Sequence, residues 1–193
     1  MKALNAKFMQ RPKSGMIVKD ERMLAPSHYY YRFAHSMVRG NHQNRDQIMS
    51  GAWWLDADAF NTIRQRSLHS GTHLSGMARH SCAVARRWGG KVDIVVRGLL
   101  TGPLLGFYGI GTIQTFPTRG QVGDQDAARK PTPGETKKRE LDEDTDLSVW
   151  MPARGIIQIY IPGLAEKNPH TGNRIFRDAF EHLEQTKIGW DPM

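Results

Sequence analysis

The chain has 193 residues, a formal net charge of +8 and one cysteine, a length that suits a single domain burying about 70% of its unfolded surface. Residues 1–100 hold 16 Lys and Arg against 6 Asp and Glu, whereas residues 101–193 hold 11 against 13, so the basic first half favours a polyanionic partner, meaning nucleic acid, nucleotide phosphates or an acidic protein. The lone Cys82 excludes an internal disulfide and a multi-cysteine metal cage, and the absence of any run of about 18 apolar residues or of a signal core leads to the expectation of a cytoplasmic protein with no membrane partner.

Residues 1–26 are basic and punctuated by Pro12, Gly15 and Pro26, which predicts a flexible arm ahead of one globular domain over 27–193. Tyr30, Phe33, Ala34, Met37 and Val38 follow a helical spacing between Ser27 as N-cap and Gly40 as stop. The run Tyr29, Tyr30, Tyr31, Arg32, Phe33 also has strand preference, but the spacing leads to a helix for most of 28–39.

Trp53 and Trp54 follow, adjacent and preceded by Ser50, Gly51 and Ala52. No regular element points both rings the same way, so one is expected to pack inward and the other to line a surface or cleft.

Asp56 or Asp58 caps a predicted helix that buries Phe60 and Ile63 and exposes Arg64 and Arg66. A second helix places Leu74, Met77, Ala78, Ser81, Val84, Ala85 and Trp88 on one face, with Arg79, Arg86 and Arg87 opposite and Gly89–Gly90 as its end. A strand over 92–96 precedes a Gly102–Pro103 turn and a second extended run from Leu104 through Phe116. Residues at about 117–147 are dense in Lys, Arg, Asp and Glu and read as a mobile charged insertion. A strand over 156–161 ends at Pro162–Gly163, and a last helix, capped by Thr171 or Asn173, buries Ile175, Phe176, Ala179, Phe180 and Leu183.

The expected fold is therefore α+β, with a helix-rich N-terminal half packed on a small, mainly antiparallel sheet and a C-terminal helix over one face. There is no nucleophile elbow, Walker loop, kinase signature or zinc-finger spacing. His69, His73 and His80 would share a face only on one uninterrupted helix. Gly71 interrupts that spacing, and no metal is expected.

Three separated segments remain: Tyr31–Arg32–Phe33, Ser50 through Trp54, and Ile157–Gln158–Ile159–Tyr160. Their order resembles that of the ADP-ribosyltransferase-like superfamily, including its RES-type members. In that family an early Arg binds NAD phosphates, a Ser- or aromatic-bearing strand shapes the nicotinamide pocket, and a late Gln or Glu motif supplies the catalytic acid. The resemblance implies NAD as cofactor, Arg32 as its phosphate contact, Ser50 with Trp53 or Trp54 as pocket residues, and Gln158 near the acceptor. Tyr160 stands where the late motif carries Glu, so Gln158 and Tyr160 are the candidate catalytic positions and the carboxylate that would stabilise an oxocarbenium-like transition state is missing from them. Glu140 or Glu143 of the insertion are the alternatives.

Two other functions fit the composition. One is a non-enzymatic nucleic-acid-binding accessory protein of a mobile element or phage, with Arg64, Arg66, Arg79, Arg86 and Arg87 on phosphates and a tryptophan stacked on a base. The other is a protein-interaction module whose insertion orders on contact.

Overall fold

A computed structural model describes residues 2–13, 15–38, 40–82, 92–111, 114–115, 149–150 and 155–188. After one 3-10 turn (Ala6–Phe8), the first half of the chain runs β1 (Met16–Met23), β2 (Tyr29–His35), β3 (Met37–Val38), β4 (Asn41–His42), α1 (Arg45–Met49), β5 (Trp53–Trp54), α2 (Ala57–Ser70) and α3 (Leu74–Cys82). The second half runs β6 (Val92–Leu100), β7 (Leu105–Gly111), β8 (Gln114–Thr115), β9 (Val149–Trp150), β10 (Ile157–Tyr160), α4 (Ile175–Ala179) and β11 (Phe180–Lys187).

One sheet has the strand order β1-β7-β10-β5 and another β11-β6-β2, with all pairings antiparallel. They join where Tyr31 and Leu55 exchange backbone hydrogen bonds of 2.9 and 2.7 Å. β3 pairs with β4, and β8 with β9.

The main core lies between the two sheets. Tyr30, Ala34, Ile94 and Val96 of the second sheet pack with Trp54, Tyr108 and Ile159 of the first, closed by Ile48 and Met49 of α1 and by Ile175 and Phe176 of α4. Each such large apolar side chain contributes about 1.5–3 kcal/mol on burial. A smaller cluster lies beneath α2 and α3, where Ala59, Ile63 and Ala78 meet Leu55, Val92 and Ile156.

The α+β class and the antiparallel sheets hold, but strands dominate and the N-terminal half is not helix-rich. The predicted helix over 28–39 is β2. Its Tyr30 and Ala34 face the main core, while Tyr31 and Phe33 face Phe60 of α2, with ring centroids 4.2 and 5.7 Å away. A strand apolar on both faces offers apolar residues at every spacing, so a helical subset can always be found in it. Ser27, the expected N-cap, instead has a left-handed φ of 61° in the turn before β2.

The expected arm over 1–26 differs as well, because Met16–Met23 forms β1 along β7. Only Met16 of that edge strand is buried, so it shows no alternation in the sequence.

The C-terminal helix is five residues long, and Phe180 turns extended (φ −122°, ψ 134°) to start β11 on the open edge of β6. Gly98 permits this approach, since a Cβ there would stand 2.8 Å from Leu183 and 3.0 Å from Phe180. Thr171 and Asn173 do not cap α4. With Asn168 they donate hydrogen bonds to the Asp178 carboxylate, clasping the loop onto the helix.

Other readings match. Asp56 caps α2 by accepting from the Ala59 amide at 2.8 Å, and Gly71 (φ 69°) ends it. The strands expected over 92–96, from Leu104 onward and over 156–161 are β6, β7 and β10. The insertion at 117–147 and the end of the second helix, including Arg86 and Arg87, lie outside the described residues.

Candidate functional site

β5 has two residues, and the period of a strand sends their rings to opposite faces. Trp54 faces the main core, 1% exposed, its ring stacked on Phe180 at 4.8 Å and its indole N–H donated to the Gly51 carbonyl at 2.7 Å. Trp53 is half-buried on the other face, with its ring centroid 5.1 Å from that of Tyr160.

Register carries that second face across the sheet. Trp53 pairs with Tyr160, and Tyr160 with Phe107, their rings 6.4 Å apart. Gln158, two residues before Tyr160, points the same way opposite Gly109, is 5% exposed, and reaches the Cys82 carbonyl at 3.5 Å. Trp53, Gln158 and Tyr160 therefore share a surface of rings and one amide.

Arg32 sits at the seam between the sheets. It pairs with Val96 along β2, adjacent to the Tyr31–Leu55 bridge, on the same side of the strand as Tyr30 and Ala34. Its guanidinium donates to the Ile48 carbonyl at the end of α1 and lies against Gly51, where a Cβ would collide with it. Gly51 is thus the point at which Arg32 and Trp54 meet. Ser50 ends α1, its backbone N–H bonded to the Asp46 carbonyl at 2.9 Å.

Strand order places Arg32, the Ser50–Trp54 segment and Gln158 on or beside the successive strands β2, β5 and β10. Alternation separates them into an Arg32–Gly51–Trp54 group and a Trp53–Gln158–Tyr160 group on opposite sides.

The electrostatics of Arg32 are unusual. Burial lowers its pKa from the ordinary guanidinium value to about 10, no acid contributes to that shift, and its buried Nε has no hydrogen-bond partner among the described residues. A cation taken from water without a counter-charge is costly. Burial likewise pushes the Cys82 thiol up to about 12, so it is no thiolate nucleophile at neutral pH.

The arginines expected to contact nucleic-acid phosphates are divided. Arg64 is exposed on α2, Arg66 is half-buried with a guanidinium nitrogen 3.9 Å from the position of a Cβ on Gly155, and Arg79 is 5% exposed. Helix α2 ends at Gly71 between His69 and His73, and no group of three or more His, Cys, Asp or Glu gathers among the described residues. No helix among those residues is long and apolar enough to cross a membrane.

Sequence reasoning missed the Asn44–Gln47 capping box that starts α1 and so positions the Ile48 carbonyl on Arg32. The Asn-x-x-Gln spacing was the available signal. It also missed Gly15 and Met16, which approach Trp53 and Gly109 from the N-terminal segment and carry no local signal of that contact.

Compared with known proteins, the chain matches no family model, no curated protein and no solved structure.

Proposed function

We propose that this chain is a nucleotide-binding protein of the ADP-ribosyltransferase-like kind, taking NAD through its phosphates at Arg32. The observation that supports the reading best is the half-buried Arg32 guanidinium, its Nε fully enclosed and no acid contributing to its electrostatics: a phosphate would supply the missing counter-charge and accept from the unpartnered Nε. The neighbouring Gly51, lacking a side chain, leaves main chain close to that guanidinium. Half-buried Trp53 beside Tyr160, on the other side of β5 from Arg32, offers a second and separate flat surface suited to a planar ring.

Binding is the activity these residues support. Gln158 and Tyr160 supply an amide and a phenol where stabilisation of an oxocarbenium-like transition state calls for a carboxylate. Glycosyl or ADP-ribosyl transfer would require a carboxylate from elsewhere, such as Glu140 or Glu143.

The test is a titration of NAD followed by tryptophan fluorescence and calorimetry, with Arg32→Ala alongside. Saturable binding lost in Arg32→Ala supports the reading, and no response at millimolar NAD sinks it.

The nucleic-acid alternative draws support from the basic first half and from exposed Arg64, but the 5% exposure of Arg79 removes one of its intended phosphate contacts. It predicts retention on heparin with a steep loss of affinity as salt rises.

A further inference from the structure

The Trp53–Tyr160 face is only half-open in this conformation. β1 and β5 are the two outer strands of their sheet, with β7 and β10 between them. Strands stand about 4.8 Å apart, so β1 and β5 are separated by about 14 Å. Yet Gly15, the residue before β1, lies against the ring of Trp53 on β5, with Cη2 3.4 Å from where its Cβ would be. That contact requires the chain to approach β1 from over the sheet face and not in line with the strand. The left-handed φ of 90° at Gly15 is the turn that redirects it.

The next residue extends the cover. Met16 is 7% exposed although it belongs to neither hydrophobic cluster, and its Cγ is 2.7 Å from where a Cβ on Gly109 would stand. Gly109 is the register partner of Gln158, so Met16 caps the same face beside that amide.

The segment is fastened at both ends. Asn5, 0% exposed, donates to the Leu105 carbonyl at 2.9 Å and the Pro162 carbonyl at 3.1 Å, and accepts from the Leu105 amide at 3.0 Å. Phe8 packs over Gly163. Leu105 starts β7, and its far end, Gly111, pairs with Met16. The stretch between Phe8 and Gly15 is seven residue steps long. Gln10, Arg11, Pro12 and Lys13 within it make no hydrogen bond or ion pair with other described residues.

We infer that the N-terminal segment is an intramolecular strap, held at Asn5 and Phe8, that covers the Trp53–Gln158–Tyr160 face and must lift before a planar ligand stacks there. As a statement about regulation, this rests on the nucleotide reading of that face. A ligand that binds only the lifted state has its apparent affinity reduced by the lifted fraction.

Asn5→Ala and Phe8→Ala each loosen the fastening without touching the face. Two quantities are measured in each variant and in the unaltered chain. The first is acrylamide quenching of Trp53, taken as the difference from a matching Trp53→Phe protein. The second is NAD affinity. The strap predicts a rise in Trp53 quenching in either folded variant. It also predicts tighter NAD binding, by about tenfold if the strap covers the face nine-tenths of the time.

Unchanged Trp53 quenching in both variants, with native circular dichroism, overturns the strap. Identical NAD affinity in all three proteins also overturns it and leaves the nucleotide reading standing. Raised quenching with no NAD binding in any of them keeps the strap and overturns the nucleotide reading.

Discussion

Arg32→Met tests the physical argument on which the nucleotide reading rests. Burial takes the guanidinium from its ordinary value down to about 10, and at about 1.36 kcal/mol per pKa unit the charge carries a folded-state penalty on the order of 3 kcal/mol. Methionine keeps an unbranched apolar stem and removes the charge, and with it that penalty. Against this stands the loss of the charge-assisted hydrogen bond to the Ile48 carbonyl, worth about 1.5–3 kcal/mol. The two terms nearly cancel, so unfolding in urea should give a stability within about 1 kcal/mol of the unaltered chain. An arginine paired with an acid behaves differently, since its removal orphans a buried carboxylate and costs about 3–5 kcal/mol.

The pH dependence has a definite sign. The unfolded chain holds the Arg32 proton more tightly than the folded one, so stability rises with pH. The unaltered protein should gain on Arg32→Met as pH climbs through about 10. A loss of about 3 kcal/mol or more in Arg32→Met at neutral pH would refute the reasoning, because the cation would then already have its counter-charge in the free protein.

Gly51→Ala places a methyl group where the Arg32 guanidinium lies and should displace it from the Ile48 carbonyl. The expected loss is about 1–3 kcal/mol in urea unfolding, together with any NAD-dependent rise in melting temperature. Half-buried Cys82, its thiol held up at about 12, should react more slowly with iodoacetamide at pH 8 in the folded protein than in urea, and equal rates in the two states would contradict that shift. Burial alone would raise the Asp178 carboxyl, but bonds donated by Thr171, Asn173 and Asn168 outweigh it and hold the group below the ordinary carboxylate range. Its stabilisation is therefore complete above the unfolded pKa and fades as pH falls through the lower folded value. Asp178→Ala should lower the melting temperature at pH 7 and make the acid limb of the stability profile shallower.

Local signals determined a definite part of this protein. Asp56 before an apolar-periodic run is sufficient to start α2, and the runs Val92–Val96 and Ile156–Ile161 announce β6 and β10. The two-residue period of a strand likewise dictated that Trp53 and Trp54 part company, one to the core and one to a half-open face. Arg32, the Ser50–Trp54 segment and Gln158 could be picked out as chemistry-bearing residues from the chain alone.

Tertiary pairing decided the rest, because the partners are remote in sequence. β2 is a strand because β6, some sixty residues on, satisfies one of its edges and Leu55 bridges the other. β11 exists because β6 leaves an edge open, and β1 because Gly109 admits a neighbouring backbone. Those same pairings settle whether Arg32 is an exposed charge or a half-buried one without an acid beside it, and which side of β10 Gln158 faces. They also bring Gly15 across three strands onto Trp53. Periodicity records which residues are apolar, whereas burial of a charge and the crossing of a strap depend on which distant strand lies alongside.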